Sequence, residues 1–538
     1  MFLNYFMTAL RNTLRNKLHA GINILGLAIG LAACMLIILV VRHETSYDNF
    51  IPNRDNIYRM EATGNIPGRD SFETARYVGP TKELLPQDYL EIEEVLRITQ
   101  RTGNVIQDSN TFEQEIDYVD PNFFAVFQLP LIEGNYNGAL ASPSSIVLSE
   151  TNAQKYFGDG PYLGRELIIN HEYERSHIVS AVMKDIPDNS HLDMGFLIPH
   201  DRKIYENNNF GGSSDLERWN GLPFYVYVKL TENASIAPVE ATINAWVDRY
   251  FPPEVSALVN IPGSELWTPR FVKVEDIHLH SPAEGGMKPP GSVTTLLSFA
   301  AIAAMILIIA SINFMNLATA RSTLRAREVA VRKVMGAARS QLFTQFETEA
   351  MVVTLASLSL GVFLTKLILP YFNDYTQLQV PFTLILDPVT LSNIIALTLF
   401  VGIGAGLHPA LVLSSIRPIR VLTANQSSSP VNSKLRGALV VLQFAISAAL
   451  IIGTTLIYFQ TEFARNRELG YSTENTLLVS GLADPQVAPS QETYKNRVAQ
   501  LPGVSHVALS DSGPANGTGS GISLRVPGEA DRIVIFSY

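Results

Sequence analysis

Apolar residues are distributed unevenly along this chain. Four stretches, Ile22–Val41, Val293–Ala320, Pro388–Ile416 and Gly437–Thr461, contain no Asp, Glu, Lys or Arg, and each reaches the ~20 residues a helix needs to cross a ~30 Å hydrocarbon core. A fifth, Ala350–Thr365, is shorter and ends at Lys366. A buried core helix is the alternative there, but a lysine close to a helix end can snorkel to the interface, so a span is expected. One stretch lies near the N-terminus and the others follow Val293, which leaves residues 42–292 as a polar-rich region between the first two. Inside that region the period changes. Ser145–Leu148 reads as a strand, Ser149 as the cap of a helix Glu150–Phe157, and Gly158 as its stop. Val179–Met183 and Phe224–Leu230 are strand-like, and Val239–Tyr250 has helical apolar spacing. A region of that length can bury a core of its own, with room for two subdomains.

The fold class this pattern predicts is a membrane protein: an α-helical transmembrane bundle of five spans with a large mixed α/β extracytoplasmic domain. Residues 1–20 are expected to form a cytoplasmic N-terminus, 21–41 the first span, 42–292 the outer domain and 293–320 the second span. A cytoplasmic coupling segment (321–345), the third span (346–370), a short external loop (371–388) and the fourth span (389–413) follow. A cytoplasmic linker (414–436), the fifth span (437–460) and the start of a second outer domain (461–538) complete the order.

Charge sets the orientation, because Lys and Arg accumulate on the cytoplasmic side. Arg11, Arg15 and Lys17 precede the first span; Arg321, Arg325, Arg327, Arg332, Lys333 and Arg339 lie between the second and third; Arg417, Arg420, Lys434 and Arg436 lie between the fourth and fifth. The connection around Tyr371–Asp387 carries two acids and no base. All of these place the N-terminus inside and the large domain outside, with lipid as an obligatory partner. The net charge of −10 divides accordingly. Arg42–Pro290 holds 37 acidic and 20 basic residues, a balance of −17, which leaves +7 for the remainder. The acidity belongs to a solvated outer domain and gives no sign of nucleic-acid binding.

Leu31-Ala32-Ala33-Cys34 has the form of a lipoprotein cleavage box around the only cysteine. Met35–Val41 stays apolar beyond it, however, which favours an uncleaved span. A single cysteine forms no intrachain disulfide, so the outer domain stands on its core. The chain also has a weak internal echo. Basic residues, a long uncharged span and a polar outer segment occur at Arg11–Tyr58 and again at Lys434–Leu478, each followed by a helix-to-strand passage, Tyr89–Arg97 and Leu501–Leu509. A duplicated unit is expected to continue past Tyr538, so the last 77 residues read as an incomplete second outer domain.

Chemical motifs are scarce. There is no Gly-x-x-x-x-Gly-Lys-Ser/Thr loop for nucleotide phosphates, no His-Glu-x-x-His helix and no Gly-x-Ser-x-Gly elbow. His278 and His280 would share one face of a strand, compatible with a metal, although an exposed pair is the plainer reading. The Gly-rich run Gly513–Gly521 reads as a flexible segment. Elimination therefore points to moving or signalling rather than bond-making, with no resident cofactor or metal. The base-rich loop after the second span is the most informative stretch. Asn313–Met335 reads as a helix continuing beyond the membrane, with Glu328 at three- and four-residue spacing from neighbouring bases. Gly336 breaks it and Ala337–Phe346 begins a second helix. Such an elbow suits docking of a cytoplasmic partner, and a helix lying on the membrane surface is an equal alternative.

Several motifs together resemble a known family. Asn12-Thr-Leu-Arg-Asn-Lys17, Glu44-Thr-Ser-Tyr-Asp-Asn-Phe50 and Asn56-Ile-Tyr-Arg59 flank the first span. Val119-Asp-Pro-Asn-Phe-Phe-Ala-Val-Phe127, Leu148-Ser-Glu-Thr-Asn-Ala-Gln-Lys-Tyr-Phe-Gly158 and Gly164 lie in the outer domain. Arg327-Glu-Val-Ala-Val-Arg-Lys-Val-Met-Gly-Ala337, His408-Pro-Ala410 with Pro418, and Leu435-Arg-Gly-Ala-Leu-Val-Val-Leu-Gln-Phe444 follow in order. The chain resembles MacB/FtsX-type ABC transporter permeases in their double-length form. The resemblance implies a non-catalytic subunit whose partner is a cytoplasmic ABC ATPase, which alone uses ATP. That ATPase would dock on a coupling segment corresponding to Arg325, Arg327, Glu328, Arg332, Lys333 and Gly336. A periplasmic adaptor or outer-membrane component and a dimeric assembly are further implied partners. Gly26, Gly30, Ala33, Gly402, Gly404 and Gly406 offer small-residue faces for a dimer or an intrachain interface. Two functions remain open on these grounds: export of envelope substrates such as lipoprotein, peptide or drug, and a regulatory transducer that moves no substrate.

Overall fold

The computed structural model describes residues 2–536 apart from 16, 68–69, 108–109, 171–173, 202–214, 220, 254–255, 257–260, 321, 416–429, 468–474, 480–481, 483–486, 511–519 and 525–531. Among the described residues, five helices are long and apolar enough to cross a membrane. They are Lys17–Glu44, Val293–Ala320, Arg339–Thr376, Pro388–Ser415 and Pro430–Arg465. The short apolar run Ala350–Thr365 is the middle of the third, a continuous 38-residue helix. Its polar ends had hidden its length.

Four of the five pack on one another. Leu27, Leu31 and Met35 of the first long helix meet Ala303 and Leu307 of the second, Ala350 and Val353 of the third and Val401 and Ala405 of the fourth. Close approach depends on glycine. A Cβ at Gly361 would stand 2.9 Å from Met35 Cε and 3.3 Å from the Ala28 carbonyl oxygen, and one at Gly406 only 2.7 Å from Ala350 Cβ. Gly30 faces Ala310 and Gly402 faces Met351 in the same way, so these small-residue faces are used within the chain; Gly404 faces open space. The fifth long helix meets the second and leaves most of its surface uncovered.

Between the first two long helices lies one continuous 11-stranded sheet, where the sequence had left room for two subdomains. Its strands are β1 (Ile57–Gly64), β2 (Phe72–Thr74), β3 (Ile92–Gln107), β4 (Asn110–Val119), β5 (Leu131–Glu133), β6 (Ser145–Ser149), β7 (Glu166–Asn170), β8 (Glu174–Met183), β9 (Phe196–Pro199), β10 (Tyr225–Leu230) and β11 (Trp267–Lys273). The spatial order is β11-β1-β10-β3-β4-β9-β6-β8-β5, with β2 beside β1 and β7 bridging β3 and β8. Pairing is antiparallel except β4 with β9 and β6 with β8. Both faces are covered. Alternation along β10 sends Val226 and Val228 to one core and Tyr225 and Tyr227 to the other; β6 divides Ile146 and Leu148 from Val147 likewise.

The helix after β6 begins where its cap residue predicts, with Ser149 Oγ accepting from Asn152 N at 3.3 Å, and ends at Gly158. Buried charges are compensated. Arg97 donates to Asp120 through Nε and Nη2, both at 3.1 Å, and to the Gly79 carbonyl at 2.8 Å.

Two expectations change. His278 and His280 lie on a helix, Val274–His280, and not on a strand. There they do not share a face: His278 is buried against Glu44, whereas His280 is exposed and pairs with Asp276 at 3.3 Å. The echo also departs from the first copy. Helix Thr81–Asp88 leads into β3, but helix Gln491–Ala499 leads into residues 501–510, which hold no strand. A two-stranded ladder, β12 (Ser520–Leu524) with β13 (Arg532–Phe536), follows. Most of the Gly513–Gly521 run, with Arg417, Pro418 and Arg420, lies outside the described residues.

Candidate functional site

The base-rich loop folds as a helical elbow. Helix Ser322–Val334 follows the second long helix, and Gly336, at φ +94, turns the chain in a conformation that side-chain-bearing residues rarely adopt. Gly336 N donates to the Lys333 carbonyl at 3.1 Å and Ala337 N to the Arg332 carbonyl at 3.0 Å, which closes the helix end. The third long helix then starts with Ala338 N donating to Gln341 Oε1 at 3.1 Å, a side chain reaching back to satisfy an end donor. Val329 packs with Leu342, Phe346 and Ala410, and Ala330 is fully buried, so the elbow is seated against the bases of the third and fourth long helices.

The residues singled out from sequence divide into three groups. Arg332 donates through Nη1 to Gln345 Oε1 at 2.7 Å and through Nη2 to Glu328 Oε1 at 2.6 Å. Lys333 Nζ donates to the Ser414 carbonyl at 2.6 Å, placing a cation on the last turn of the fourth long helix, where the helix dipole favours positive charge. Burial, with Arg339 nearby, pushes the Lys333 ammonium below its ordinary pKa. Glu328, Arg332 and Lys333 thus hold the elbow to its own chain. Gly336 is the turn itself. Arg325 and Arg327 lie on the same helix, with side chains outside the described residues.

A second set went unremarked in the sequence. Val331, Val334 and Met335 are 55%, 66% and 83% exposed. Their spacing of three and four residues groups them on the helix surface, at the tip beside Gly336. Its signal in the sequence is an apolar triplet at helical spacing within a basic loop. The result is an apolar tip on a short lever fixed to the helical region. It has the makings of a contact surface; among the described residues no three metal-ligating side chains converge.

Residues 20–246 match the family described as the MacB-like periplasmic core domain, and residues 300–418 the FtsX-like permease C-terminal family. The chain is similar to the macrolide export ATP-binding/permease protein MacB of Chromobacterium violaceum, 24% identical over 421 residues, covering 76% of this chain and 58% of that protein. It is 29% identical over 130 residues to MacB of Campylobacter jejuni, covering 24% of this chain and 20% of that one. The chain therefore spans 20% to 58% of the length of these relatives. Among solved structures it is similar to the periplasmic region of MacB from Actinobacillus actinomycetemcomitans, with 17% identity and a TM-score of 0.29 over 43% of this chain and 92% of that one.

Proposed function

Because the chain belongs to the MacB/FtsX-type ABC transporter permease family, we propose that it couples ATP hydrolysis by a separate ATPase subunit to movement of its outer domain, driving export of envelope substrates such as lipoprotein, peptide or drug. The observation that carries this reading is the uncovered tip, Val331, Val334 and Met335, on an elbow otherwise seated in its own chain. Exposed apolar side chains on a fixed lever favour a partner that covers them. The elbow continues directly from the second long helix, whose other end follows the outer domain, so a push at the tip has a helical route outward. In this reading Arg332 and Lys333 set the angle of the lever, the apolar tip makes the contact, and the N-terminus and elbow face the cytoplasm.

The test is reconstitution of the full chain with its ABC ATPase subunit. The double variant Val334→Asp, Met335→Asp should lower stimulation of ATP hydrolysis ~10-fold or more, as expected when a central apolar anchor is lost. Wild-type stimulation and binding by that variant would remove the elbow from the mechanism. Orientation is tested separately with an impermeant thiol reagent on intact cells. Leu90→Cys, at a position 91% exposed in the outer domain, should label. Met335→Cys should not, and the reverse pattern would invert the proposed topology.

A further inference from the structure

The short stretch in which the first long helix ends is tied to three separate parts of the chain. Arg42 Nε lies 3.1 Å from Asp387 Oδ2, and the same carboxylate accepts from Thr390 N at 3.1 Å, capping the fourth long helix. Glu44 Oε2 lies 2.9 Å from His278 Nε2, on the helix that leads to the start of the second long helix. Asp48 accepts from Ser190 Oγ at 2.7 Å and His191 N at 3.1 Å, and lies 2.9 Å from His191 Nδ1. His191 in turn reaches the Tyr227 hydroxyl of β10 at 2.9 Å. Seven residues thus reach the fourth long helix, the approach to the second and, through His191, strand β10 of the sheet.

The middle tie is the most enclosed. The Tyr47 ring stacks on His278 with centroids 3.4 Å apart and planes 4° from parallel. His43 Nδ1 lies 3.6 Å from the other oxygen of Glu44. Gly291, two residues ahead of the second long helix, donates its N–H to the His278 carbonyl at 2.8 Å. A Cβ at Gly291 would stand 2.6 Å from His278 Nε2 and 2.9 Å from Glu44 Oε2, so the pair is closed over by a backbone that has room only for glycine. Glu44, Asp48, His191 and His278 are all buried, where a carboxylate without its partner is strongly disfavoured. A fold that needed only a stable outer domain could place such pairs anywhere in its core. Arg97–Asp120 is such a pair within that core; Glu44–His278 and Asp48–His191 stand instead where both membrane connections of the domain meet.

We propose that Arg42–Asp48, centred on the Glu44–His278 pair, is a joint that makes the outer domain and the starts of the second and fourth long helices follow the first long helix as one body. The proposal rests on the permease reading only for its purpose, the delivery of helix motion to the outer domain.

The test uses the full chain in phospholipid nanodiscs, with nitroxide labels at Leu90→Cys and Tyr375→Cys, positions 91% and 88% exposed on the outer domain and beside the external loop. Double electron–electron resonance should give one narrow distance distribution for the parent. Glu44→Gln removes the charge at constant shape, and Gly291→Ala forces a methyl between the partners without removing either. Each should broaden the distribution about twofold, and the two together no more than either alone, because they break one contact. Near-ultraviolet circular dichroism on the same samples reports whether the outer domain stays folded. Parent-like width in both variants overturns the joint. So does broadening seen only where the outer domain has unfolded, which would make the pair a fold determinant alone. No ATPase or nucleotide is present, so a joint found here stands even if the elbow fails to dock; a distance that ignores ATP once the ATPase is added would count against the permease reading instead.

Discussion

The helical region is fastened differently at its two ends. At the outer end, Arg42, Glu44 and Asp48 each meet a counter-charge or imidazole within 3.1 Å, and Glu44 and Asp48 do so in burial. At the inner end the elbow's charge pair Arg332 with Glu328 is half exposed, and the tip is apolar and uncovered. The outer end is closed by the chain's own residues. The inner end presents apolar side chains that the described residues leave uncovered, so under the proposed function perturbation should act on stability at one end and on partnership at the other.

The largest effect should come at the outer end. Asp48→Ala leaves Ser190, the His191 amide and the His191 ring without their acceptor, and removing one partner of a buried charged pair costs about 3–5 kcal/mol. Denaturant unfolding followed by tryptophan fluorescence, which reports the outer domain through Trp219, Trp246 and Trp267, should show the loss. An unchanged midpoint would mean the two ends are equally dispensable.

Next comes pH, which should act on the outer domain through three buried groups. Burial pushes His177 and His200 down to about 4 from 6.5. The unfolded chain binds these protons between pH 6.5 and 4 while the folded one refuses them, so stability falls as pH drops through that window. Burial raises Asp117 from 3.8 to about 8, with the opposite sign: the folded carboxyl keeps a proton the unfolded one releases, and stability falls as pH rises toward 8. Two imidazoles outweigh one carboxyl on the acid side, which places the optimum near pH ~6.5. Asp117→Asn should flatten the alkaline limb and steepen the acid limb, where the carboxyl had opposed the two imidazoles; melting temperature against pH measures both.

A smaller loss is expected within the helical region. Gly406→Leu must displace Ala350 and Glu347, an overpacking of about 1–3 kcal/mol, read as faster hydrogen exchange in the third and fourth long helices. Lys333→Ala frees the Ser414 carbonyl and should cost about 1 kcal/mol, confined to the last turn of Pro388–Ser415. Smallest is Val334→Asp, which should alter stability by no more than about 0.5 kcal/mol while weakening ATPase stimulation. If it unfolds the elbow instead, the tip belongs to the core and the contrast between the ends disappears.

The long helices were legible because an uncharged run of that length has few other uses, and the strand–helix unit at Ser145–Gly158 because cap and stop are local. The helix holding His278 was not. Ile277, Leu279 and the two histidines alternate as a strand would, and the partner that His278 is buried against, Glu44, lies 234 positions away. The elbow shows the same limit at short range. Its charges could be read from the row of letters, but that Arg332 and Lys333 turn inward while Val334 and Met335 turn outward depends on where Gln345 and Ser414 sit.

The 38-residue helix Arg339–Thr376 is about 57 Å long at the usual rise per residue, nearly twice a ~30 Å hydrocarbon layer. A thicker or thinner bilayer slides the water boundary along it without changing the distance between the elbow and the external loop. The stroke of any movement carried by this helix is therefore set by the protein's own length, and membranes of different thickness should receive the same displacement.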